Sequence, residues 1–280
     1  MPLDEWRITC FAGLIAAFFR RRFQPIAFGR SMNTTFSCVG CGKCCTGHHV
    51  PLTLDEARMW ANDGGQVIVL VEAFLPNGLG LPVAQREHAE RRSAVVRSGT
   101  SDALVAITFA AYNVGRCHNL DDENLCRIYE RRPLVCRIYP MEINPHIPLN
   151  PAAKDCPPES WETGPQLILG GELVDQELAR LIERSRQADR EEIAIKERIC
   201  MSLGIHTTAL KGDGFTAYLP NMAAFAAAID QARSQPLDQA AGEWQFHLSG
   251  EDVANQVSAS GARVVTEAPV TYAFISLRAA

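Results

Sequence analysis

The sequence has no internal repeat, no low-complexity tract and no excess of positive charge. Its N-terminal apolar run, Ile8–Phe19, is shorter than the roughly 20 residues that span a bilayer. Acidic Asp4 and Glu5 precede that run, and Arg20, Arg21 and Arg22 follow it, where an export signal would place small residues. No transmembrane segment is therefore expected; the arm is read as a packed helix or a frayed extension, and the location as cytoplasmic, with reduced thiols. The net charge of −5 and pI near 5.8 argue against a protein built to coat nucleic acid, so no nucleic-acid partner is expected. A phosphate loop and a nucleophile–base pair are missing too; Asn77-Gly-Leu-Gly80 and Gly212-Asp-Gly214 are too short to define a nucleotide turn. Cysteine is scarce outside residues 38–156, where only Cys10 and Cys200 occur.

What is present suits an ordinary folded chain. Its 280 residues are 47% apolar and 21% charged, enough for one large domain or two modest ones. Three regions follow from composition: an apolar and basic arm over 1–35, a cysteine-rich region over 36–160, and a helical and β-rich region of 161–280. Thr53-Leu-Asp-Glu56 is a capping-box pattern that predicts a helix start. Ala103–Tyr112 is apolar and β-branched, so it predicts a buried strand delivering the chain to Cys117. Residues 76–82 read as a loop. Val174, Leu178, Leu181 and Ile182 recur at helical spacing and predict one amphipathic helix over about 172–200. A second helix is expected over Met222–Arg233, and strands over Trp244–Leu248 and Val264–Leu277. The fold class is α+β: an irregular cysteine-rich metal-binding domain with helices and a short sheet, plus a mixed α/β C-terminal region.

Eight of the ten cysteines lie between Cys38 and Cys156. The first four form Cys38-x-x-Cys41-x-x-Cys44-Cys45, a spacing that lets thiolates converge on one centre. Gly40 and Gly42 supply the permissive backbone. Four more follow at Cys117, Cys126, Cys136 and Cys156, among five arginines from Arg116 to Arg137 that favour the thiolate. Zinc and iron–sulfur clusters both accept four thiolates, so the ligands fit two four-cysteine sites or one site with spare thiols. The remote Cys156-Pro157 resembles bacterial ferredoxin ligation and favours an iron–sulfur cluster, of the 4Fe-4S type, over Zn. His48, His49, His118 and His146 are read as neighbours rather than ligands. Lys43 is read as solvated, and Cys10 and Cys200 as isolated apolar thiols. Arg132 and Arg137 are candidates to donate to sulfur or balance cluster charge. Pro133 is expected to open a short helix, with Arg132 extended before it.

The ordered string Phe36-x-Cys38-x-x-Cys41-x-x-Cys44-Cys45, Pro51-Leu-Thr-Leu-Asp-Glu56 and Cys126-x-x-Tyr129-x-x-Arg132-Pro133-x-x-Cys136-Arg137-x-Tyr139-Pro140 resembles the CxxCxxCC cysteine-cluster family. The resemblance covers about 36–158, under half the chain. It implies a zinc- or iron-chelating domain whose cysteines map onto Cys38, Cys41, Cys44, Cys45, Cys117, Cys126 and Cys136, with Cys156 a looser fit. Asn119 departs from the family pattern, which usually has an aromatic or aliphatic residue there. The family is grouped with flagellin lysine N-methylases, which implies an alternative: an iron–sulfur-dependent lysine methyltransferase using S-adenosylmethionine on a protein substrate. Metal ions are the partners expected in either case.

Overall fold

The computed structural model describes residues 33–234, 242–265 and 271–277. Cys10, the Ile8–Phe19 run and Pro269 lie outside the described residues. The described residues divide into two compact units: one from 54–111, 189–234, 242–265 and 271–277, the other from 33–53 and 112–188. Helices and mixed sheets occur together, as expected for α+β.

The first unit opens with the helix Leu54–Asn62, at the predicted start. It buries Leu54, Ala57 and Trp60, spaced three apart on one face. Its first amide, from Leu54, donates to Glu192 Oε1 at 2.9 Å, which satisfies one of the free N–H groups of a helix start. The strand Gln66–Phe74 follows. After exposed Gln66 it is buried almost throughout, a mark of a strand covered on both faces. It lies between Thr207–Leu210 and Ser101–Tyr112 in a sheet that continues outward to Gln245–His247 and Val264–Val265. The pairings of Thr207–Leu210 with both Gln66–Phe74 and Gln245–His247 are parallel, while Gly214–Tyr218 and Ala94–Ser98 add antiparallel ones. The helix Met222–Ser234 sets Phe225 edge-on to Phe109 at 5.1 Å, and Trp244 and Phe246 are wholly buried. Cys200 is fully buried here on the helix Ile193–Ser202, as an isolated thiol.

One prediction changes in detail. The helix expected over 172–200 is a short strand Glu172–Leu173 and two helices, Gln176–Glu191 and Ile193–Ser202. Asp175 accepts the Leu178 amide at 3.0 Å and so caps the true start. One glycine of each short stretch serves close packing: a Cβ on Gly80 would sit 2.8 Å from Leu210, and one on Gly214 would sit 2.6 Å from Phe274.

In the second unit, Asn33–Thr35, Gln166–Leu169 and Glu172–Leu173 form an antiparallel sheet. The last two strands join through Gly170-Gly171 at φ 60° and 84°, the left-handed pair that a tight two-residue hairpin requires. Under the sheet lies an apolar cluster that includes Phe36, Leu134, Ile138, Leu167, Ile168 and Leu181. Tyr139, Trp161 and Cys156 pack at its edge. The division departs from the contiguous 36–160 domain of the sequence reading. Residues 54–111, between the two halves of the cysteine pattern, belong to the first unit, whereas all eight clustered cysteines belong to the second.

Candidate metal centre

The Cys38–Cys45 segment is shaped by left-handed glycines, Gly40 at φ 66° and Gly42 at φ 70°. Gly42 precedes the single 3₁₀ turn Lys43–Cys45, and its carbonyl accepts from the Cys45 amide at 3.0 Å and the Thr46 hydroxyl at 3.1 Å. Side chains at Cys44 and Cys45 thereby leave the turn together, their sulfurs 3.8 Å apart. Lys43 is exposed, as expected.

The second group of cysteines is tied to the first through the backbone. The Cys117 amide donates to the Cys45 carbonyl at 2.7 Å, beside a bridge between Thr46 and Arg116. Between Cys117 and Cys126 the chain doubles back around Asp121. Its carboxylate accepts the amides of Glu123 at 3.0 Å and Leu125 at 2.8 Å, and Asn124 takes φ 64°. That turn closes a bridge from Leu120 to Cys126. Arg116 braces it on the Asp121 carbonyl and on Asn124 Oδ1. Asp and Asn are suited to such a turn because their short side chains replace backbone partners. Cys136 rides on the short helix Leu134–Ile138 that Pro133 opens, with Arg132 extended before it at ψ 147°. Cys156 lies in a loop held at each of its residues. Lys154 pairs with Glu142 at 2.6 Å, Asp155 with His48 at 3.0 Å, and Cys156 Sγ with the Tyr139 hydroxyl at 3.2 Å.

Electrostatics sort the thiols into neighbourhoods. Burial, first of all, pushes Cys136 well up, and repulsion from Cys45, Cys117 and Cys126 adds to it, against the pull of Arg132. Cys117 is raised by burial and by Cys45 and Cys126, with an amide hydrogen bond from Asn119 opposing. Cys45 is lowered to about 7 by the hydrogen bond from Cys44 and by Arg132, against burial. Cys44 rises steeply, through its hydrogen bond to Cys45, then burial, then Cys45, Cys38 and Cys136. Cys156 is raised by burial and by Cys41 and Cys38, while Tyr139 and Lys154 pull it down.

The remaining candidates fall as follows. Arg132 stacks over Tyr129 at 3.5 Å and acts on Cys45 and Cys136, whereas the guanidinium of Arg137 lies 3.9 Å from the Glu177 carboxylate. His48 pairs with Asp155, His49 stacks on Tyr112 at 5.1 Å, and His118 bonds Asn119. The Asp121 turn, the Tyr139–Cys156 hydrogen bond and the His48–Asp155 pair are contacts that the sequence reading did not single out; Asp121-x-x-Asn124 was the legible signal for the turn. The clustered cysteines are free of disulfides, and soft thiols beside Arg132 and Lys154 suit a thiophilic metal. Among the described residues, no three His, Cys, Asp or Glu side chains meet closely enough to hold an ion as placed, so the grouping is electrostatic rather than a closed coordination shell. No helix of the described residues is long and apolar enough to cross a membrane.

Residues 37–157 match a family model described as "Putative zinc- or iron-chelating domain", named for its C-x-x-C-x-x-C-C pattern. No curated protein matches the chain, and no solved structure does.

Proposed function

Taking residues 37–157 as a CxxCxxCC domain, we propose that the protein binds iron–sulfur clusters through eight thiolates in two groups. Cys38, Cys41, Cys44 and Cys156 make one group, and Cys45, Cys117, Cys126 and Cys136 the other. What supports this reading is the run of free thiols that neighbour one another: Cys156 beside Cys38 and Cys41, Cys136 and Cys117 beside Cys45 and Cys126, and Cys44 adjoining both groups, its sulfur 3.8 Å from that of Cys45. Each group is the four-sulfur set that a 4Fe-4S cluster takes, and Cys156-Pro157 supplies the distant ligand that such sites use. A cluster held by four thiolates adds negative charge, and Arg132 stands beside Cys45 and Cys136 to offset it. A cytoplasmic location keeps the thiols reduced, which the reading requires. The reading does not draw on methyl transfer; Gly80 and Gly214 pack against Leu210 and Phe274.

The test is anaerobic purification with assays for iron, zinc and acid-labile sulfide. A brown protein with sulfide and about eight irons per chain is expected. A colourless protein with stoichiometric zinc would replace clusters with structural zinc, and a folded, metal-free protein would end the metal reading.

A further inference from the structure

Cys156 is the ligand candidate farthest in sequence from the others, so something must hold it in place. The loop that carries it is anchored at consecutive residues, Lys154 to Glu142 and Asp155 to His48. Asn150 caps the turn just before it by accepting the Ala152 amide at 3.2 Å. These contacts fix the backbone and leave the sulfur free to rotate. The group that reaches the sulfur itself is the Tyr139 hydroxyl, at 3.2 Å. The tyrosine ring has separate reasons to be where it is: Phe36 lies edge-on to it at 6.2 Å, and the Lys154 ammonium sits 5.3 Å from its centre. A phenylalanine would satisfy all of those packing contacts, so they do not explain the oxygen.

We propose that Tyr139 is the positioning residue for Cys156, its hydroxyl donating to the sulfur so that the thiolate is oriented towards Cys38, Cys41 and Cys44. The inference rests on the metal reading above and adds a role for a residue outside the ligand set. Tyr139 follows the helix Leu134–Ile138, three residues after Cys136. One short segment therefore supplies a ligand of one group and orients a ligand of the other. Hydrogen bonds to a ligating atom set its direction and basicity, and their removal commonly costs 10- to 100-fold in metal affinity.

The experiment uses full-length protein, freed of metal under reducing conditions and titrated with Co(II), whose thiolate charge-transfer absorption reports sulfur ligation. Tyr139→Phe should bind the Co(II) of the Cys156-containing group about tenfold more weakly in chelator competition. It should also move the charge-transfer band, while the circular dichroism of the metal-free protein stays unchanged. In a Cys156→Ser background, Tyr139→Phe should cause no further loss. Equal affinity and an identical band in Tyr139→Phe and the parent would overturn the proposal, as would an undiminished effect in the Cys156→Ser background. A parent protein that takes up neither Co(II) nor iron with sulfide on reconstitution would instead overturn the metal reading, and this one with it.

Discussion

Residues around the centre differ sharply in what a small change should do. Gly42 sits at φ 70°, and a Cβ there would meet the Asn124 Cβ at 3.0 Å, whereas Gly47 at φ 72° has nothing within 4 Å. Both substitutions to alanine incur the left-handed cost of about 1–2 kcal/mol. Only Gly42→Ala also pushes apart the Cys38–Cys45 turn and the Asp121 turn. Denaturation of the metal-loaded protein should therefore show Gly42→Ala as the more damaging, with weaker metal binding, and Gly47→Ala as a backbone effect alone. The buried thiol of Cys200 makes the opposite case. Serine there would place a hydroxyl in a fully buried site, at about 1–3 kcal/mol, with metal content unchanged. A loss of metal in Cys200→Ser would contradict the assignment of that cysteine to the apolar core.

At the level of elements, most of what the sequence announced was local chemistry. The capping pattern at Thr53–Glu56, the β-branched run ending at Tyr112 and the alanine-rich stretch from Met222 each became the element expected, because each is decided by side chains within a turn or a strand. The cysteines were legible for the same reason: their spacing is explicit and their chemistry narrow. What escaped was decided by single residues acting on the backbone. Asp175 sets the start of the helix at Gln176, so Val174, the first member of the apolar periodicity, lies before it. Asp121 was hidden in an acidic stretch, Asp121-Asp-Glu-Asn124, that reads as a solvated surface until its carboxylate is seen accepting two amides. Tyr139 was visible as a motif residue, but its hydrogen bond to Cys156 spans 17 positions and no local rule predicts it.

For the whole molecule, the division into units decides what metal removal should do. Composition along the chain could not show this division, since a unit built from 33–53 and 112–188 is defined by contacts between remote segments. The first unit has its own apolar interior, from Ile68 and Phe74 to Trp244 and Phe246, and needs no metal to bury it. The second has an apolar cluster around Phe36, Ile138 and Leu181, and the 3₁₀ turn Lys43–Cys45 contributes no buried residue to it. That turn buries no residue of its own, so the metal should supply the folding free energy there. Stripping the metal with a chelator should therefore speed amide exchange over 38–47 and 115–127. Protection across Gln66–Phe74 and 101–111, in the first unit, should stay as it was. Loss of protection in the Gln66–Phe74 strand to the same degree would mean that the metal holds both units folded, and that the first unit's own core is insufficient to stabilise it.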